Sequence, residues 1–427
     1  MLLANQLATF ALSDIEGATD ARTVMAMSLL DWAACGRAGR EEPVAQKTRS
    51  LVLSEGGAAQ ATLFGGGKSP ARGAALVNGA TSHALDYDDT HFAHIGHPSV
   101  AVIPAALAIA EGEGASMSDL LDAALIGVEA SIRIGVWLGR DHYETGFHQT
   151  ATAGSFGATL AACRLLGLSV EQTAQAIGLV STRASGLKSQ FGTMGKPFNA
   201  GLAASNGVEA ALLAAQGFVS NPGALDEPQG FGPTHHGIGA LSAFDDIGTA
   251  WQFETVSHKF HACCHGLHAM LEALGSLDGR AGEVEEVAIT THSRWDRVCN
   301  NPSPATGLEA KFSYRHTAAM ALSGYSTAAM DSYTAELANA PDLVSLRNKV
   351  RVAFDDTLAE TQSRVAVTAS GQTQTAFHDL LAPQPLATRE AKVAAKAEAL
   401  IGSDNVARIK AAIEDDDLSA FVEVISA

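Results

Sequence analysis

The chain has 427 residues, of which 47% are hydrophobic, 17% charged and only 6% aromatic. That length is more than one hydrophobic core usually supports, and the apolar content excludes extended disorder. A net charge of −18, from 28 basic and 46 acidic residues, excludes a phosphate-neutralising nucleic-acid surface while leaving room for a small anion bound by local Lys and His.

Ala and Gly are abundant, and small side chains let helices approach closely, so the first part of the chain reads as helical. Apolar stripes recur at helical spacing over residues 21–35, 99–111, 116–130, 152–167, 169–180 and 199–216. Two of these segments open on capping boxes, Ser116 with Asp119 and Ser169 with Gln172. The segment "FGGGKS" (64–69) lacks the first glycine of a phosphate loop and runs into Pro70, so it reads as a turn. Residues 217–250 are rich in Gly and Pro and read as a long ordered connection.

The character then changes. Residues 283–295 and 348–357 alternate apolar and polar side chains as half-buried strands do, and 363–377 reads as a third strand followed by a turn. Helical periodicity returns from about 386. The expected architecture is therefore mainly α: a large all-helical domain (1–254 and 386–427) with an inserted smaller α+β lid domain (255–385). Five sparse cysteines without a C-x-x-C pair suggest neither a disulfide framework nor a zinc ribbon. The N-terminus has no basic region ahead of an apolar one, and no apolar run approaches about 18 residues. The expected setting is cytoplasmic, with no membrane partner.

Chemistry-bearing residues gather in five places. "DYDDTHFAHIGHPS" (86–99) holds three histidines three residues apart, which raises the question of a metal. Gly96 and Pro98 oppose a helix that would carry all three on one face, so proton transfer or substrate binding at a helix end is favoured, and no metal is expected. A plainer reading has Asp88 and Asp89 capping a helix beside solvated histidines. "GFHQT" (146–150) sets His148 at the approach to a helix, where free N–H groups favour anions. Lys196 precedes Pro197 in a tight turn. "SHKFHACCHGLHAM" (257–270) gathers Lys259, Cys263, Cys264 and four histidines, and "EAKFSYRH" (309–316) ends on His316.

In order and separation, "NGATSHALDYDDT…HPS", "GFHQT", "GTMGKPFNAGLAASNG" and "EAKFS" resemble the motifs of the MmgE/PrpD superfamily over nearly the whole chain. The resemblance implies a helical domain built from both chain ends, an α+β lid, a homodimer, and cofactor-independent proton chemistry on small polycarboxylates. It places Asp86, His97, His148 and Lys196 in catalysis and Thr90, Lys259, Cys264 and His316 at the substrate. Cys264 and His316 stand where decarboxylating members carry His and Tyr, and these departures weigh against decarboxylation. The leading expectation is a hydro-lyase acting on a citrate- or malate-like hydroxy acid, with epimerisation as the alternative. His91 and His94 are expected to be bystanders.

Overall fold

The computed structural model describes residues 2–15, 17–237, 239–277 and 284–427. Glu283, the first residue of the strand expected over 283–295, lies outside them. The chain divides into two compact units, residues 1–258 with 393–427, and residues 259–392.

The first unit is helical. Helices α1 (Leu3–Ala11), α2 (Thr19–Gly39) and α3 (Pro43–Glu55) lead into a two-residue hairpin, β1 (Ala61–Thr62) and β2 (Lys68–Ser69). Its turn spends Gly65, Gly66 and Gly67 on positive φ, so the FGGG part of "FGGGKS" is a turn and Lys68–Ser69 form β2. Helices α4 (Ala71–Ser82), α5 (Ser99–Glu113), α6 (Met117–Thr145), α7 (Gln149–Leu165), α8 (Val170–Ser181) and α9 (Gly195–Ala215) follow.

Helix α5 is apolar around its whole circumference and is buried from Ser99 to Ala110, the expected place for a helix without a polar face. Both predicted capping boxes are present, Ser116–Asp119 at the start of α6 and Ser169–Gln172 at the start of α8. The connection after α9 is ordered in part by Arg133. Its fully buried guanidinium bonds Glu129 on its own helix, Asp246, and the carbonyls of Ala243 and Ala250.

Small residues set the helix spacing. A Cβ added at Gly201 on α9 would lie 2.3 Å from the Leu76 carbonyl oxygen on α4, and one at Gly157 on α7 would lie 2.4 Å from the Gly127 oxygen on α6. Gly201→Ala is therefore expected to destabilise by about 1–3 kcal/mol through overpacking. Gly112→Ala, which meets nothing within 4 Å, should be neutral or stabilising by up to about 1 kcal/mol. Thermal unfolding of the two variants checks this.

The second unit is α+β. It holds α10 (His268–Gly275), α11 (Tyr314–Leu322), α12 (Pro341–Arg347) and a four-stranded mixed sheet. The strands are β3 (Val284–Thr291), β4 (Val350–Phe354), β5 (Gln362–Ala369) and β6 (Gln372–Asp379), in the order β4-β3-β5-β6. β3 is parallel to β4 and antiparallel to β5. A register shift between Val284 and Glu286 resets the alternation, so Val284, Val287, Ile289 and Thr291 all face inward. The stretch 363–377 departs from the one-strand reading. It is most of a hairpin, turning at Ser370 and Gly371, both at positive φ.

Helix α13 (Leu386–Ile401) contains the 392/393 boundary, and α14 (Ser403–Glu414) and α15 (Leu418–Ser426) complete the first unit. The protein is thus mainly α with a small α+β part. No helix among the described residues is long and apolar enough to cross a membrane.

Candidate active site

The site grows from the C-terminus of α4. His83 caps that helix, and its buried ring sets Nδ1 2.8 Å from Asp88 Oδ1. Between them the chain reverses at Asp86, whose φ of 52° is a left-handed conformation few side chains other than Asp and Asn tolerate. The reversal lets Asp86 and Asp88 approach one imidazole from two sides. His97 Nδ1 lies 2.9 Å from Asp88 Oδ2, and His97 Nε2 lies 3.2 Å from Asp86 Oδ1. The other Asp86 oxygen is 2.6 Å from the Lys196 ammonium, in the first turn of α9. Thr150 on α7 accepts the His97 backbone N–H at 3.0 Å, which fixes where the ring starts.

Exposure falls steeply across this group. The Asp86 side chain is 51% exposed and that of Lys196 16%, whereas Asp88 is 2% exposed and His83 is fully buried. The His97 ring therefore spans from a buried carboxylate to an accessible one. Only the doubly protonated ring can donate on both sides. Burial alone would raise the Asp88 carboxyl. The charges of His83 and His97 and their hydrogen bonds outweigh it and hold Asp88 well below the usual carboxylate range.

His148 stands beside this group as the N-cap residue of α7. Its ring lies 6.1 Å from that of His83 and edge-on to Phe191 at 5.0 Å. Its Nδ1 accepts from the Asn199 amide at 3.3 Å, so the neutral ring carries its proton on Nε2. Burial, then the neighbouring His83, Lys196 and His97, push His148 well below the ordinary histidine range. Lys196 lies 5.3 Å from the Phe191 ring centre.

Of the residues singled out from the sequence, Asp86, His97 and Lys196 are in direct contact, and His148 is adjacent. Thr90 sits on the same loop but faces Ser257, with which it exchanges backbone hydrogen bonds of 2.9 and 2.7 Å. Lys259, Cys264 and His316 belong to the second unit. There Lys259 is buried, and Cys264 N–H bonds the Lys311 carbonyl with its thiol against Cys299. His316 is fully buried on α11, with neither ring nitrogen hydrogen-bonded among the described residues.

Reading the sequence missed His83, Asn199 and the role of Asp88. The capping expectation holds for Asp89, which accepts from the Ser99 N–H and hydroxyl at the start of α5, but Asp88 braces two imidazoles instead. The plainer reading with solvated histidines does not hold, since His91, His94 and His97 are all buried. His91 Nε2 meets Thr255 at 3.0 Å, and His94 has no partner at either ring nitrogen among the described residues.

His83, Asp86, Asp88 and His97 could each offer one ligand atom, all within 4.8 Å of one another. Their charge is already answered: Lys196 neutralises Asp86, and each Asp88 oxygen faces an imidazole nitrogen. A metal would have to displace the Lys196 ammonium and both imidazole contacts. Prolonged chelation is therefore expected to leave thermal stability and turnover unchanged. A loss restored by zinc or manganese would reverse that expectation.

The helical unit carries a buried carboxylate–imidazole pair beside an accessible carboxylate and ammonium, an arrangement whose chemistry can include moving a proton. Residues 2–239 match the MmgE/PrpD N-terminal domain and residues 261–415 the MmgE/PrpD C-terminal domain, and the chain belongs to the MmgE/PrpD family. It is 32% identical over 273 residues to a cis-aconitate decarboxylase of Aspergillus terreus, covering 60% of this chain and 56% of that protein. It is 31% identical over 267 residues to cis-aconitate decarboxylase-like protein oryM of Aspergillus oryzae, covering 58% and 55%. It is 29% identical over 298 residues to the cis-aconitate decarboxylase of Homo sapiens, covering 66% and 61%. The matched stretches thus span less than two thirds of these relatives.

Proposed function

We propose that the protein is a lyase of small polycarboxylates that moves a proton at the carbon next to a carboxylate. The observation that carries this reading is the His97 ring, held between buried Asp88 and accessible Asp86 with Lys196 at the outer edge. A carbon acid of this kind ionises only if the charge that develops on the adjoining carboxylate is met by fixed cations. Lys196 supplies such a cation, and a substrate carboxylate competes with Asp86 for it. As the substrate carboxylate draws Lys196 away, Asp86 leaves Nε2, the neutral His97 ring takes the proton from carbon there, and Asp88 stabilises the imidazolium that forms. His148, with its proton on Nε2, hydrogen-bonds the departing hydroxyl, which leaves as water with the proton that His97 took from carbon. The expected net reaction is dehydration of a citrate- or malate-like hydroxy acid, and the group needs no redox cofactor for it.

Decarboxylation is the second reading, favoured by the relatives named cis-aconitate decarboxylase. The same proton donor would then protonate carbon after carbon dioxide departs. Incubation with di- and tricarboxylates in deuterium oxide, followed by NMR, separates the reactions. Water loss gives an alkene proton signal, decarboxylation of cis-aconitate releases carbon dioxide, and epimerisation gives deuterium exchange without loss of mass. Binding of these acids with no exchange and no product would overturn the catalytic reading.

A further inference from the structure

On α13 the buried stripe Val393, Lys396, Ala397 contains a lysine that is 1% exposed. Burying an ammonium costs several kcal/mol unless its hydrogen bonds are satisfied. Lys396 makes three contacts within the first unit, to two residues. It pairs with the buried Asp31 carboxylate on α2, donates to the Tyr87 carbonyl at 2.6 Å, and lies 4.1 Å from the centre of the Tyr87 ring. Tyr87 is itself 2% exposed and stands between Asp86 and Asp88.

The Tyr87 carbonyl belongs to the peptide that carries Asp88, and the residue before it is the left-handed Asp86. A rotation of that peptide would swing both carboxylates away from the His97 nitrogens. The next residues are held as well: Asp89 by Ser28 and Ser99, and Thr90 by Ser257. Lys396 is the charged anchor at the centre of the loop. An ion pair kept for packing alone would be replaceable by uncharged residues of similar volume at little cost. No apolar side chain replaces the bond to the Tyr87 carbonyl.

We propose that Lys396 is a positioning residue, which by fixing the Tyr87 peptide and ring sets Asp86 and Asp88 on either side of His97. This rests on the proton-transfer reading of the site. Lys396→Met alone would strand the buried Asp31 charge, so the comparison uses an Asp31→Asn background. Asp31→Asn alone keeps the bond to Tyr87, Asp31→Asn with Lys396→Met removes it, and Asp31→Asn with Lys396→Gln restores an N–H donor. The readouts are thermal unfolding, kcat and KM on the carboxylate found by the panel above, and the ring 15N signals of His83 and His97.

Relative to Asp31→Asn, the Met variant is expected to lose about 10–100-fold in kcat, to keep KM within about threefold, and to shift both ring signals. The Gln variant should recover most of both. Equal kcat and unchanged ring signals in the folded Met variant would overturn the proposal, as would Met and Gln variants that behave alike. If the wild-type protein turns over no carboxylate, the functional reading fails, while the ring signals still decide whether Lys396 positions the loop.

Discussion

His97→Gln is expected to lower turnover by about 10²–10⁴-fold, the range general acid–base groups contribute, with KM changed by no more than about threefold. The expectation follows from where the ring's nitrogens point. Each faces a carboxylate oxygen, at 2.9 Å on the buried side and 3.2 Å on the accessible side, and the Lys196 ammonium sits on the second carboxylate rather than on the ring. Glutamine preserves some of the volume and one N–H but cannot accept and return a proton near neutral pH. A group that only binds substrate would show the opposite split, with KM raised and kcat kept. Asp88→Asn should follow His97→Gln in direction, because it removes the buried charge that stabilises the imidazolium and leaves His83 without its carboxylate partner. Steady-state kinetics on the panel substrate decides, and a His97→Gln enzyme with wild-type kcat would move proton transfer to His148.

Much of the scaffold is legible in the sequence because burial there is periodic. The α5 stretch reads as apolar on every face, and the Ser116–Asp119 and Ser169–Gln172 boxes mark helix starts without any tertiary information. β6 escaped notice for the converse reason. It is largely exposed along its length, so "QTQTAFHD" has no inward face to alternate. The site is legible only where it depends on neighbours in sequence. Asp86 and His97 lie eleven residues apart in one polar loop, and Lys196 stands out before a proline. The His83–Asp88 contact requires the left-handed turn at Asp86, which has no signature at a non-glycine residue. The bonds from Asn199 to His148, and from Lys396 to Tyr87, join residues 51 and 309 positions apart, where spacing says nothing. His91 and His94 read from the sequence as bystanders to the chemistry, and nothing in the spacing tells whether they are buried. Here they fill helix-lined interior, His94 against Gly135, where an added Cβ would fall 2.0 Å from its Nδ1.

That interior placement is expected to make the protein acid-labile well above the carboxylate range. Burial pushes His91 down to about 4, His94 to about 3 and His142 to about 4, from an ordinary value of 6.5. Each stays neutral in the folded chain while the unfolded chain takes up a proton as pH falls below 6.5. Stability is therefore lost progressively from 6.5 down to each folded value, by about 1.4 kcal/mol per group per pH unit. His83 and His148 are lowered by burial and act in the same direction. Asp31 opposes them. Burial, against the pull of Lys396, raises it from 3.8 to about 6, so the folded chain binds that proton first as pH falls through 6. The histidine losses, offset in part by Asp31 and by the buried Asp89 and Glu129 that burial also raises, are large against the roughly 5–15 kcal/mol typical of a folded domain. The melting temperature is thus expected to fall steeply between pH 6.5 and 5. His94→Leu should flatten that slope while leaving stability at pH 7 close to wild type, since neither ring nitrogen has a bond to lose among the described residues and removing an unpaired buried polar group is not costly. Calorimetry at stepped pH on both proteins measures the difference. A melting temperature constant from pH 7 to 5, or a His94→Leu variant with the full wild-type slope, would show that these histidines gain their protons without unfolding the chain.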